Sequence, residues 1–166
     1  MQVGPGESDL DFGPMINRAG YDKVARHVTD ALAKGAKAVI GGGPHKLGGL
    51  FYEPTILTDI TDEMDIAGEE TFGPVAPLIS FSSEQEAIEI ANSTDSGLAG
   101  YIYTKDYRRM FRVCEALETG MVGVNAGIIS NAVAPFGGVK ESGIGREGSR
   151  HGMDDFMDLK YLHLKI

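Results

Sequence analysis

The stretch whose reading decides the fold is Pro135-Phe136-Gly137-Gly138-Val139-Lys140-Glu141-Ser142-Gly143-Ile144-Gly145-Arg146-Glu147-Gly148. Gly143 to Gly148 spells G-x-G-x-x-G, the pattern of a dinucleotide-binding loop. That chemistry needs a buried strand running into the first glycine and a helix opening at the last, whose N-terminus receives the pyrophosphate. Pro135–Ser142 reads as a loop, and Ser149–Ile166 is too short for a helix followed by further parallel strands. The match lacks its context, so these glycines are read as backbone devices for tight turns and close packing.

Working outward, composition bounds the rest. A chain of 166 residues with 42% apolar content fits one domain with a real core. Acidic residues outnumber basic ones, 24 to 15, for a net charge of −9. That balance argues against nucleic acid or an anionic membrane surface as partner. No apolar run is long enough to span a bilayer, and no charged-then-apolar leader opens the chain. A single Cys excludes an internal disulfide and fits a reducing cytoplasm. His27, His45, His151 and His163 show no metal-ligand spacing, so no metal site is expected.

The chain alternates helical and extended patterns. Tyr21, Val24, Ala25, Val28, Ala31 and Leu32 fall at helical spacing from Asn17 to Gly35. Lys37–Ile40 is a short strand, and Phe51–Leu57 and Val75–Phe81 look extended. Ser83 and Glu86 form a capping box ahead of a helix through Ala91. Gly100–Tyr103 and Met121–Asn125 are strands flanking an Asp106-capped helix closed by Gly120. This order predicts an α/β fold, a mostly parallel sheet flanked by helices. Tyr161–Ile166 reads as a terminal half-buried strand, Leu162, Leu164 and Ile166 on one face, whose open edges need a partner.

The residues alone name no nucleophile, base or metal. Cys114 shares a helical face with Met110, Phe111 and Leu117, near a helix C-terminus where the dipole disfavours a thiolate, and reads as a buried structural Cys. Glu69-Glu70-Thr71-Phe72-Gly73-Pro74 reads as a candidate site or a solvated acidic rim. Asn125–Asn131 follows a strand, where open α/β sheets place ligands, or is a plain loop.

Four blocks in order resemble the aldehyde dehydrogenase family: Glu69–Val75, Asn92 with Gly97–Gly100, Gly120–Asn125, and Pro135–Gly148. The resemblance covers essentially the whole chain. Met121–Asn131 and Lys160–Leu162 most resemble its succinate-semialdehyde dehydrogenase branch. The resemblance implies the last third of a family member, with residues 1–158 the C-terminal portion of the catalytic domain and 159–166 an oligomerisation strand. It implies NAD- or NADP-dependent oxidation of a small aldehyde to the acid by a cytoplasmic homo-oligomer. It places the nucleophilic Cys, the general base and nearly all of the cofactor domain upstream of the aligned residues, so no catalytic residue is assigned here and the chain alone is expected to be inactive.

Residue by residue, the resemblance implies that Glu70 binds the nicotinamide ribose hydroxyls and that Phe72 packs by the nicotinamide. Ser130 matches a position that hydrogen-bonds the distal carboxylate of the substrate, and Phe136 an aromatic of the substrate funnel. Succinic, glutaric or another small semialdehyde fits this set. The competing reading is a free-standing truncated protein serving as a binding or assembly module.

Overall fold

The computed structural model describes residues 1–7 and 10–166. The chain divides into two compact units, Met1–Ser80 and Phe81–Ile166.

In the first unit, helix α1 spans Arg18–Ala33. Its N-cap is Asn17, whose side chain accepts from the Gly20 N–H at 2.8 Å and satisfies one of the amides a helix start leaves open. Tyr21, Val24, Val28 and Ala31 lie on one face and are buried. They form the core with Tyr52, Leu57, Ile60, Met64 and Ile66. Burying each large aliphatic side chain contributes about 1.5–3 kcal/mol. The helix stops at Gly35, which takes φ 106, and Ala36 returns its N–H to Ala31 at 2.9 Å.

Strand β1 (Lys37–Ile40) pairs antiparallel with β2 (Thr55–Thr58), and β2 pairs parallel with β3 (Val75–Pro77). Short helix α2 (Asp65–Gly68) lies in the β2–β3 crossover. A parallel neighbour needs such a crossover; Gly41–Pro54 has no helix and instead reverses the chain. Extension expected over Phe51–Leu57 narrows to a strand beginning at Thr55. Tyr52 makes only an isolated bridge to Pro44, and Pro54 has no N–H for a ladder.

In the second unit, α3 (Glu84–Asn92) is capped by Ser83, and α4 (Tyr107–Ala116) by Asp106, which accepts from the N–H groups of Arg108 and Arg109. Glu84 binds Arg109 at 2.9 Å and Arg112 at 2.9 Å, joining the helices. Strand β5 (Ala99–Ile102) pairs parallel with β6 (Met121–Val124). Strand β4 (Ser96–Gly97) pairs antiparallel with β7 (Val139–Lys140), so Pro135–Ser142 contains a two-residue strand where a loop was expected. The α/β class stands, with parallel and antiparallel pairings mixed.

The Pro135–Gly148 stretch folds back on itself, Phe136 and Glu147 exchanging both backbone hydrogen bonds at 2.8 and 2.7 Å. Gly145 has φ 81, and a Cβ there would strike the Asp155 carboxylate. The positive φ is what favours glycine there, since Asp155 is exposed and its carboxylate can move aside. A 3₁₀ turn, His151–Phe156, follows. The expected strand Tyr161–Ile166 has no regular structure, and its side chains are exposed. An edge strand takes form only against a partner that supplies its hydrogen bonds. Among the described residues, no helix is long and apolar enough to cross a membrane.

Candidate functional site

Glu70 and Phe72 belong to the segment between α2 and β3. Their neighbours are held while they are not. The Glu69 N–H donates to the Asp65 carbonyl at 2.9 Å, and the Gly73 N–H to the Thr71 carbonyl at 3.0 Å. On α1, His27 is fully buried. Its Nδ1 lies 2.6 Å from Thr71 Oγ1 and its Nε2 3.2 Å from Glu69 Oε2. A carboxylate only accepts, so Nε2 carries the hydrogen shared with Glu69; in the neutral ring Nδ1 accepts from the Thr71 hydroxyl.

Arg26 Nη2 at 3.2 Å and Lys23 Nζ at 3.4 Å converge on the same Glu69 oxygen. The bonds from Arg26, then His27, then Lys23 pull the Glu69 carboxyl from 4.5 down to about 2. Asp30 Oδ2 also accepts the Asp65 N–H at 2.9 Å, and Lys34 reaches the Glu63 carbonyl at 2.7 Å. A polar stripe of α1 thus ties down Glu63–Thr71. Glu69 and Thr71 turn to α1, and Glu70 and Phe72 are exposed, Phe72 by 83%.

Ser130 and Phe136 lie in the second unit, on the loop that leaves β6. Asn125 begins it at φ 51, in the left-handed region that Asn tolerates better than most residues. A Cβ at Gly123 would meet Tyr101 and Ile129, at 2.6 and 2.7 Å, so the missing side chain lets Ile129 fold onto β5 and β6. Ser130, the next residue, is exposed. Phe136 is half-buried. It lines a hollow of about 530 Å³ with Ser142, Ile144, Arg146, Asp155 and Phe156. Arg146 faces inward by donating to the Gly138 carbonyl at 2.8 Å.

Cys114 corrects one expectation. It is half-buried rather than buried, because no residue of α4 is fully covered in this unit. It lies in the last turn of α4. No group of three or more His, Cys, Asp or Glu among the described residues could hold a metal ion. The His27–Glu69–Thr71 cluster is the feature that sequence reasoning missed. Its signal was the polar stripe Lys23, Arg26, His27, Asp30 and Lys34 at helical spacing, matched to the acidic run Asp62–Glu70.

Comparison with known proteins connects these placements. The aldehyde dehydrogenase family model matches residues 1–162. The chain is 54% identical over 165 residues to the 3-sulfolactaldehyde dehydrogenase of Pseudomonas putida, covering 99% of this chain and 34% of that protein. It is 56% identical over 165 residues to the mitochondrial succinate-semialdehyde dehydrogenase of Arabidopsis thaliana, covering 99% of this chain and 31% of that protein. The crystal structure of succinate-semialdehyde dehydrogenase from Burkholderia pseudomallei superposes with a TM-score of 0.94 at 56% identity, over 98% of this chain and 34% of that one. The chain thus spans about a third of the length of the relatives it matches.

Proposed function

The chain belongs to the aldehyde dehydrogenase family, and from that premise we propose that it serves in the NAD- or NADP-dependent oxidation of a small aldehyde to its carboxylic acid, as the C-terminal third of a full-length enzyme. Oxidising the hydrated or thiol-bound aldehyde carbon requires a hydride acceptor, and the nicotinamide supplies that chemistry when bound. This third contributes binding surfaces, while the nucleophile and general base belong to segments outside it.

The observation that carries the reading is the contrast at Glu69–Phe72: Glu69 and Thr71 are bonded to α1, whereas Glu70 and Phe72 stand clear of the fold. The groups fit the ligand. An exposed carboxylate accepts two O–H bonds from the vicinal hydroxyls of a ribose. An exposed phenyl ring offers a flat apolar face to a nicotinamide. Replacing Glu70 by Gln in the full-length enzyme removes the charge with little change of shape. It is expected to weaken NAD(P) binding about tenfold, the loss of one charge-assisted hydrogen bond. An unchanged dissociation constant by calorimetric titration rejects this assignment.

For substrate, Ser130 is read as the donor to an anionic group at the far end of the aldehyde, and Phe136 as a wall of the entry funnel. Two relatives support this class by name, one a succinate-semialdehyde and the other a 3-sulfolactaldehyde dehydrogenase. Both aldehydes are short and carry an acid group. The single Cys accords with a reducing compartment such as the cytoplasm.

Partner choice follows from the tail. Leu162 and Leu164 are 82% and 75% exposed, and Ile166 is fully so. A second copy of the chain that pairs with Tyr161–Ile166 would cover them, giving a homo-oligomer.

A further inference from the structure

We infer that His27 is a positioning residue for the nicotinamide nucleotide: by gripping Thr71 and Glu69 together, its ring fixes the backbone on both sides of Glu70 and so sets where Glu70 and Phe72 point. This rests on the reading of Glu70 and Phe72 as the nucleotide-holding pair. His27 is 0% exposed, and both ring nitrogens are spent on one short segment, at 2.6 and 3.2 Å.

The two bonds reach residues 69 and 71, the immediate neighbours of 70 in the chain. Holding the side chains at i−1 and i+1 to one ring limits the directions open to residue i, which is itself exposed. The same holds for Phe72, between Thr71 and a Gly73 that is pressed onto α1. A Cβ at Gly73 would collide with Val24, a buried residue of that helix. The segment is thus clamped to α1 at positions 69, 71 and 73, and positions 70 and 72 are the pair turned away. The clamp starts from a rigid base, because His27 sits between Val24 and Val28, both 1% exposed.

Ordering the pair before the nucleotide arrives is what gives such a clamp its effect. A carboxylate that must meet two hydroxyls loses affinity when its backbone samples other directions, because binding then has to freeze that motion. Arg26 and Lys23 reinforce the Glu69 end from the surface. Among the described residues, His27 is the hydrogen-bond partner of the Thr71 hydroxyl.

The test uses Thr71, where the clamp can be opened without touching the core. In the full-length enzyme, Thr71→Val keeps the branched shape and loses the hydroxyl, whereas Thr71→Ser keeps the hydroxyl. The Val variant is expected to bind NAD(P) about five- to tenfold more weakly, with KM for the aldehyde unchanged at saturating nucleotide. The Ser variant stays within about twofold of the parent. In the full-length enzyme without nucleotide, amide hydrogen exchange over Glu69–Gly73 accelerates in Thr71→Val and His27→Leu while amides of Val24 and Val28 stay protected. Equal nucleotide affinities for Thr71→Val and Thr71→Ser, or unchanged exchange over Glu69–Gly73, overturn the clamp. Glu70→Gln separates the two readings. If it weakens nucleotide binding and Thr71→Val does not, the clamp is wrong and the nucleotide assignment stands. If Glu70→Gln binds as the parent does, the nucleotide assignment falls, and the exchange data still judge whether His27 orders the segment.

Discussion

Asn125 holds both backbone groups of Thr104: its Oδ1 accepts the Thr104 N–H at 2.9 Å and its Nδ2 donates to the Thr104 carbonyl at 2.9 Å. The two residues follow the C-terminal ends of the parallel strands β6 and β5. One side chain thus fixes the relative position of both strand exits, and with it the start of the loop bearing Ser130. The residue does so at φ 51, where Asn is tolerated and Ala is strained. Asn125→Ala is expected to lose about 1–3 kcal/mol from two broken bonds and left-handed strain together. Asn125→Gly, free of the strain, should lose about 1 kcal/mol less. Denaturant unfolding of the two variants measures the difference, and equal losses would exclude a strain contribution.

On the proposed reading, the Ser130 hydroxyl donates to the charged far end of the substrate, and a simple alkyl aldehyde offers it no such partner. In the full-length enzyme, Ser130→Ala should raise KM for succinic semialdehyde by the equivalent of about 1.5–3 kcal/mol, the usual loss for a hydrogen bond to a charged group. KM for propanal should hardly move. Steady-state kinetics on both aldehydes decide the matter, since losses of equal size would make Ser130 a wall of the pocket and not a reader of charge.

Acid should loosen the first unit through Glu69. Its carboxyl is held at about 2, below the ordinary 4.5, first by Arg26 and then by His27 and Lys23. A depressed carboxylate adds stability above its unfolded value and surrenders it as pH falls through the folded value. The loss therefore runs from about 4.5 down to about 2. The Glu69 side chain is 48% exposed, so solvent screens part of the effect. Asp30, lowered chiefly by its bond to Lys34, adds to the same slope. Thermal melts between those pH values should show a smaller drop for Glu69→Gln than for the parent. Parallel curves would mean that the ion pairs do not favour the folded state.

The parts of this fold legible in the sequence are the local ones. Helices α1, α3 and α4 announce themselves because Asn17, Ser83 and Asp106 cap them and their apolar residues recur at helical spacing. The pairing of β4 with β7 joins Gly97 to Val139 across the chain, and two residues per strand leave no pattern to read. The return of β2 against β1 is equally hidden, since it depends on what Gly41–Pro54 does in space. At the candidate site, physical reading of the residues singled out the loops Glu69–Pro74 and Asn125–Asn131 but could not tell Glu70 from an acidic rim residue. The family resemblance named Glu70, Phe72, Ser130 and Phe136. His27 carries no local signal, because its partners Glu69 and Thr71 lie 42 and 44 residues away in the chain.

The isolated chain should not turn over aldehyde. Its one thiol, Cys114, is half-buried in the last turn of α4, among the apolar residues of that helix. An assay of NAD(P)H formation with succinic semialdehyde at high protein concentration is expected to give no signal. Turnover that disappears in Cys114→Ser would refute this and make Cys114 a nucleophile.

The tail should drive association of the isolated chain. Leu159, Leu162 and Ile166 stand open to solvent, as do Phe156 and Tyr161. Covering each of the large aliphatic side chains is worth about 1.5–3 kcal/mol, a large share of what holds a small domain together. Exposed apolar side chains on a segment with unpaired backbone groups favour pairing with a second copy, which supplies both a cover and the missing hydrogen bonds. Light scattering on the intact chain is expected to give a dimer or larger, and on a chain ending at Asp158 a smaller mass. The opposing force is the entropy of a free tail, which frays when no partner is near. A monomeric mass for the intact chain would show that this entropy wins. An unchanged mass on truncation would move the contact away from Tyr161–Ile166, to the helices α3 and α4, none of whose residues is buried within their own unit.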